Sequence, residues 1–330
     1  MNTERSSFVF EIDMSHAGLG ALDESSAMVM LGNCHSRYLI QGQTIRPTEI
    51  IDANDNVLYP AYFMTHLVVS PQLALSTLHL WNKVEIKVAV RRYGDTVLDS
   101  DYALRPVDRD DNVAITMKAN SLFILDPSIH RSQDRQVAAP RADCLRKMER
   151  LTRPPVAIQE SAKVRVQGFP AVDEHWLIGS PYPYRLMANR DTSPDHPMIF
   201  AKFPLLMELS ERHFLAQLTE GRIAEDSLHD VALLQRKIFY YGNAFAGDKL
   251  ELYTKGRLEQ CTSSLWKDNI KLQYLFLIKL QTEIYHNGQI IAVASADKVI
   301  VKPISDQASI QDMKRLFSSL SIQCHGSDVS

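Results

Sequence analysis

Two tyrosines, Tyr59 and Tyr62, stand three apart in the run Asn56-Val57-Leu58-Tyr59-Pro60-Ala61-Tyr62-Phe63. The run is entered through the turn-forming series Asp52, Asn54, Asp55 and Asn56, and Pro60 holds the backbone between the two phenols extended. A phenol in such an apolar stretch has two readings. It is a core residue that buries its ring and hydrogen-bonds its hydroxyl, or it is a reactive group. With a pKa of about 10, it becomes a nucleophile at neutral pH only where donors or positive charge favour the anion.

Glu24 and His35 are the next candidates. A helix is expected to open at Leu22-Asp23-Glu24-Ser25, with Asp23 as its cap and Ala27, Leu31, Cys34 and Tyr38 recurring on one face. Glu24 reads either as a carboxylate favoured by the helix dipole or as a group that positions substrates and moves protons. His35 reads either as a hydrogen-bonded residue near the helix end or as a proton carrier. The free N–H groups at the start of this helix suit a developing enolate oxygen. Cys34 and His35 are sequence neighbours, so their side chains diverge by about 100° on a helix and do not form a nucleophile and base pair. The chain holds no Gly-x-Ser-x-Gly, no His-Glu-x-x-His and no glycine-rich loop ending in Gly-Lys-Ser/Thr, and Gly18-Leu19-Gly20 reads as a loop.

These residues need a scaffold, and 330 residues suggest two domains or two halves of one. With 45% hydrophobic and 23% charged residues a sizeable core can form. The net charge of -3 argues against nucleic acid as a partner, since phosphate binding needs an excess of Lys and Arg. No apolar run is long enough for a membrane span and the first residues lack a signal-peptide core, so the expectation is a soluble, cytoplasmic protein. Cys34, Cys144, Cys261 and Cys324 are too dispersed for a zinc knuckle or a disulfide framework.

Along the chain, residues 7–14 read as a strand, and 72–80 are apolar enough for a buried one. Val84, Ile86, Val88 and Val90 alternate with other residues in the period-two pattern of a half-buried strand. Turns at Tyr93-Gly94-Asp95 and at 109–112 separate two more strands ending near Leu125. Residues 126–155 carry four prolines and a basic run, within which 141–151 is expected to be helical. That run reads either as a solvated linker or as a basic collar for the phosphates of coenzyme A or for an acidic carrier protein.

Beyond it the first pattern returns. Leu209-Ser210-Glu211 reads as a second helix start with Ser210 as cap, and 236–245 as a strand. Asp248-Lys249-Leu250-Glu251-Leu252 matches Asn82-Lys83-Val84-Glu85-Ile86. A hairpin turning at His286-Asn287-Gly288 places Ala296-Asp297-Lys298-Val299-Ile300 where the first half has Ala119-Asn120-Ser121-Leu122-Phe123. Matches that keep their order argue for a duplicated unit. The expected fold is α+β, a double hot dog in which each of two antiparallel sheets grips a helix. The expected division is an N-terminal hot-dog domain over 1–126, a basic connector over 127–160, a C-terminal hot-dog domain over 161–305, and a helix and tail over 306–330, the helix at 306–320. The row Tyr240-Tyr241-Gly242-Asn243 reads as strand packing, with Asn243 able to reach into a substrate tunnel.

The order of these motifs resembles the double-hot-dog acyltransferase/decarboxylase family of polyketide biosynthesis, typified by the leinamycin-pathway enzyme. The resemblance is carried by Leu22-Asp23-Glu24 with Gly32 and His35, Asp52 through Tyr62, Asn82, Arg92-Tyr93-Gly94, Ser100, and Ala119-Asn120-Ser121. It implies that a tyrosine, matching Tyr59 here with Tyr62 as the alternative, takes an acyl group from methylmalonyl-coenzyme A with loss of carbon dioxide. The acyl group then passes to an acyl carrier protein. Asn82 and Arg92 fall among the resembling residues and, together with Asn243 read from its own position, are the expected substrate-binding residues, with Glu24 and His35 in supporting catalytic roles. Coenzyme A or phosphopantetheine thioesters would be substrates, with no permanently bound cofactor. The same fold also suits a thioesterase or dehydratase using Glu24 with His35, or a non-catalytic carrier-binding module. The sequence is compatible with a monomer and with a homodimer paired through its outer sheet.

Overall fold

The computed structural model describes residues 6–13, 17–18, 21–42, 46, 49–70, 82–107, 114–129, 134–146, 148–169, 176–192, 197–219, 231–260, 264–267, 270–303, 311 and 314–315. Its first half contains β1 (Ser6–Glu11), the short pair β2 (Ala17–Gly18) and β3 (Ala21–Leu22), then α1 (Glu24–Gly42). Four long strands follow: β4 (Tyr59–Val69), β5 (Lys83–Tyr93), β6 (Val97–Pro106) and β7 (Ile115–Ile124). Asp23 caps α1 as expected, accepting from the Ser26 N–H at 2.7 Å and from its hydroxyl at 3.0 Å. Ala27, Leu31, Cys34 and Tyr38 are all buried on the sheet-facing side of that helix.

A connecting stretch carries β8 (Glu149–Leu151), α2 (Val156–Gln167) and β9 (Leu177–Ile178). The second half comprises β10 (Tyr182–Arg185), α3 (Lys202–Leu218), β11 (Val231–Tyr240), β12 (Lys249–Gln260), β13 (Ser264–Lys267), β14 (Ile270–His286) and β15 (Gln289–Pro303). The main sheet runs β1-β5-β6-β7-β4-β11-β15-β14-β12-β10, and this order reads the same from both ends when each strand is replaced by its counterpart. The central pairs are Thr65↔Ile238, His66↔Lys237 and Leu67↔Arg236, which sets a local two-fold axis between His66 and Lys237. The strand matches read from sequence agree with it: Asn82 and Asp248 each stand just ahead of corresponding strands, β5 and β12, and Ala119 and Ala296 lie on β7 and β15.

Both central strands carry a bulge at the corresponding place, between Tyr62 and Met64 in β4 and between Leu233 and Gln235 in β11. In a regular strand Tyr62 and Met64 would face the same way. The extra residue breaks that parity. Tyr62 therefore packs inward among the two main core clusters while Met64 packs outward against Phe239, Tyr241 and α2.

Several elements differ from the sequence expectation. Residues 141–151 form no helix. They make successive i→i+3 turns, with Cys144 and Met148 N–H groups bonding the carbonyls of Arg141 and Leu145, before β8 pairs in parallel with the end of β5. Arg141 is held there by the Ile51 carbonyl and the Asp55 carboxylate. Helix α2, read as connector up to residue 160, covers the outer face of the central strands, and the Tyr241 hydroxyl donates to its Ser161 carbonyl at 3.0 Å. Its Val156 and Val166 face solvent, which hid the apolar periodicity. Helix α3 begins eight residues ahead of Ser210, which is buried in mid-helix and bonded to Thr254 at 2.7 Å rather than capping an end. Strand β11 begins at Val231 and ends at Tyr240. The strand expected at 72–80 and the turn at 109–112 lie outside the described residues, as does most of the helix at 306–320. No described helix is long and apolar enough to cross a membrane.

Candidate active site

Tyr59 lies at the start of β4 opposite Ile124 and is 40% exposed. Tyr62, three residues further on, is drawn inside by the bulge. Its ring centroid is 4.6 Å from that of Phe200 and 6.4 Å, edge-on, from that of His35. Its hydroxyl is hydrogen-bonded to that of Tyr102 on β6. Tyr102 continues the chain of bonds to His35, whose Nδ1 is 3.2 Å from the Tyr102 hydroxyl and 3.4 Å from Ser100 Oγ. His35 Nε2 is buried with no hydrogen-bond partner among the described residues, and so is Ser121 Oγ.

Burial decides the protonation of this cluster. It pushes His35 down to about 4 and Tyr62 up to about 12, although the bond from Tyr102 works the other way on Tyr62. Cys34, beside His35 in sequence, is also pushed up to about 12 by burial. At neutral pH the site is therefore an uncharged imidazole surrounded by neutral hydroxyls. Because the folded His35 binds its proton more weakly than the unfolded one, the unfolded chain takes up the extra proton as pH falls. Stability is fully present above pH 6.5 and is lost as pH falls through about 4, by roughly 3 kcal/mol. His35→Gln, which cannot titrate, should flatten that part of a urea-unfolding profile. An unchanged slope in the variant would contradict the neutral, buried imidazole.

Glu24 does not meet His35. It reaches across the joint between the halves to Arg236 Nε, at 2.7 and 3.0 Å. Arg236 is completely buried and also binds Glu211, at 2.5 and 3.0 Å, with Glu208 at 3.6 Å. Lys298 completes the group against Glu208 and, at 2.8 Å, Glu211. Arg212 also pairs with Glu208, at 2.8 Å, so three carboxylates face three cations. Burial works against ionisation of all three acids, but Lys298, Arg236 and Arg212 hold Glu208 down at about 2, and Arg236 and Lys298 hold Glu211 below its ordinary range. For Glu24 burial outweighs Arg236 and its pKa is raised.

The other residues marked in the sequence sit elsewhere. The Asn82 carbonyl accepts from the Ile12 N–H at 2.9 Å, where β1 leaves β5. Arg92 lies beside Arg150 of β8, 3.8 Å from Asp95 in the β5–β6 turn. Asn243, with its amide turned to satisfy both ends, accepts from Arg135 at 2.6 Å and donates to the Gly242 carbonyl at 3.0 Å, tying the connector to the second half. Of the residues expected to act together, only Tyr62 and His35 are in one cluster. Tyr102 and Phe200 were missed. Tyr102 shares the inward parity of Ser100 on β6, so two polar residues on a core-facing row were the available signal.

The two-fold axis relates the two clusters. Tyr38 and Phe214 pack on corresponding strand residues, Val90 and Gly256. Registering the helices on that pair matches His35 with Glu211, Gly32 with Glu208, and Glu24 with Phe200. The strands match Thr65 with Arg236 and Ser121 with Lys298. The contacts repeat accordingly: Phe200 enters the first half against Gly32 and Tyr62, while Glu24 enters the second half against Arg236. Two equivalent positions therefore exist, one closed by ion pairs and one lined by hydroxyls, an imidazole and an aromatic ring.

No protein-family model matches the chain, and no curated protein does. Solved structures match nearly all of it. A protein described as an oleoyl thioesterase from Lactobacillus plantarum has a TM-score of 0.59 at 10% identity, covering 91% of this chain and 97% of its own. An acyl-ACP thioesterase from Bacteroides thetaiotaomicron has a TM-score of 0.55 at 10% identity, with 90% and 98% covered. The 12:0-ACP thioesterase from Umbellularia californica has a TM-score of 0.54 at 10% identity, with 91% and 97% covered. With its two helix-gripping sheets joined through β4 and β11, the chain has the α+β double hot-dog fold.

Proposed function

We propose that the chain acts on an acyl thioester carried by coenzyme A or an acyl carrier protein, and hydrolyses it at the Tyr62–Tyr102–His35 cluster. The observation that carries this reading is the buried His35 Nε2 without a partner among the described residues, held beside neutral phenols in the uncharged one of two equivalent positions. The whole-chain likeness in fold to three proteins described as thioesterases supports it. With Nδ1–H donating to Tyr102, Nε2 offers a lone pair to an attacking water. The water oxygen bonds to the thioester carbon, its proton passes to Nε2, the carbon–sulfur bond breaks, and the proton is delivered to the leaving thiolate. Tyr62, held protonated by burial, donates to the carbonyl oxygen as charge develops there. The products are a carboxylic acid and a free thiol.

A second reading is favoured by the inward setting of Tyr62: transfer from methylmalonyl-coenzyme A to a carrier protein through a tyrosine ester, with loss of carbon dioxide, as in the polyketide family that the sequence resembles. Burial of Tyr62 favours a hydroxyl donor over a phenolate nucleophile, so hydrolysis stands first. Incubation with acetyl-, octanoyl- and methylmalonyl-coenzyme A and a carrier protein, followed by thiol titration and intact-mass measurement, tests both. The expected result is free acid and thiol with no mass added to the chain. A propionyl adduct lost in Tyr62→Phe would establish transfer at Tyr62, and one lost only in Tyr59→Phe would place the nucleophile at the exposed end of β4. Binding without turnover would leave a carrier-binding module.

A further inference from the structure

Resting on the reading that this cluster handles an acyl thioester, we propose that Phe200 sets the length of the acyl chain. Its ring, carried into the first half by the segment that starts α3, closes the space between Gly32 and Tyr62, so that the site takes short acyl groups. A Cβ placed on Gly32 would lie 2.7 Å from Phe200 Cζ and 3.0 Å from Cε1. The ring therefore rests on the α1 backbone itself, and glycine is needed there for space rather than for backbone conformation. On its other side the ring stacks on Tyr62 at 4.6 Å. Although Phe200 belongs to the second half, it packs against the first core.

The wall is anchored. The Phe200 carbonyl accepts from the Phe203 N–H at 3.3 Å, and the carbonyl of the next residue, Ala201, accepts from Ser25 Oγ on α1 at 2.7 Å. The backbone that carries the ring is thus pinned to the helix that the ring faces. In the equivalent position of the second half Glu24 and Glu208 stand where Phe200 and Gly32 stand here, within the ion-pair group of Arg236 and Lys298. No apolar chain gains by lengthening into that group. At the Tyr62 site an acyl chain that lengthens between Gly32 and Tyr62 must displace an aromatic ring backed by helix backbone. Misfit of one methylene in an apolar pocket changes kcat/KM by about ten- to two-hundredfold.

The experiment compares hydrolysis of acetyl-, butyryl-, octanoyl- and palmitoyl-coenzyme A by the full chain and by Phe200→Ala, with thermal unfolding to show that both are folded. The wild type should prefer the two shorter thioesters. Phe200→Ala should raise octanoyl over acetyl kcat/KM by at least about tenfold relative to the wild type. A wild-type preference for palmitoyl, or the same chain-length profile in the folded variant, overturns the proposal. If Phe200→Ala does not fold, Phe200→Leu, which keeps an apolar side chain but removes the ring, decides by the same criterion with a smaller shift. If the wild type hydrolyses none of the four, the hydrolytic reading fails on its own. Calorimetry with S-octyl-coenzyme A, which cannot be cleaved, then decides on Phe200: tighter binding to the variant supports the proposal, and equal binding overturns it.

Discussion

Arg236→Ala should destabilise the chain by about 3–5 kcal/mol, the range for removing one member of a buried ion-pair group. The guanidinium is fully buried and binds carboxylates from both halves, Glu24 on α1 and Glu211 on α3. Removing it leaves Glu211 ionised or protonated in an apolar setting with Lys298 as its main remaining cation. Glu24→Gln should be milder, because burial works against its charged form and raises its pKa, so less stabilisation rests on that charge than on those of Glu208 and Glu211. The two kinds of acid respond to pH with opposite signs. Glu208 and Glu211 are held below their ordinary values, so their contribution is present above pH 4.5 and is lost as pH falls through about 2 for Glu208. Glu24 is raised, so its contribution is present below pH 4.5 and is lost as pH rises through its folded value. Urea unfolding of the variants measures this. A loss in Arg236→Ala no greater than about 1 kcal/mol, the size of an exposed pair, would show that the cluster is solvated and not buried.

His35→Ala should lower kcat/KM for thioester hydrolysis by about 10²–10⁴-fold, the usual worth of a positioned acid–base group, with the fall in kcat rather than KM. Nε2 is the imidazole nitrogen that the bonds to Tyr102 and Ser100 leave free, with no partner among the described residues. Tyr102→Phe should do less, because Tyr102 positions the ring and does not itself carry the transferred proton. Phenylalanine also leaves Ser100 to hold Nδ1, at 3.4 Å. Activity within a few-fold of wild type in folded His35→Ala would remove the imidazole from the reaction and move attention to Tyr62 alone.

The fold was largely legible because strand periodicity and short repeated motifs survive in both halves: Val84 to Val90 alternates, and Asp248 to Leu252 copies Asn82 to Ile86. Local signals misled where tertiary contacts overrode them. Ser210 and Glu211 have the composition of a helix start, yet they are polar in mid-helix because Thr254 and Arg236 are there to bind them. The cluster was half legible. His35 and Tyr62 were marked from residue type, but Glu24 was paired with His35 because both lie on one helix, whereas its bond goes to a residue more than two hundred positions away. Nothing local announces that a strand arginine will receive it. The bulge that turns Tyr62 inward is likewise invisible in the sequence, since it is defined only against β7.

The seam between β4 and β11 also bears on how the chain is made. While residues 231–240 are still within the ribosome, the finished first half presents the edge of β4 from Met64 to Val68, which β11 later covers, with its backbone groups open. The two-fold relation means that a second nascent molecule offers a surface of the same shape, so the interval before β11 emerges is when two chains in translation are most prone to join to each other and not to themselves.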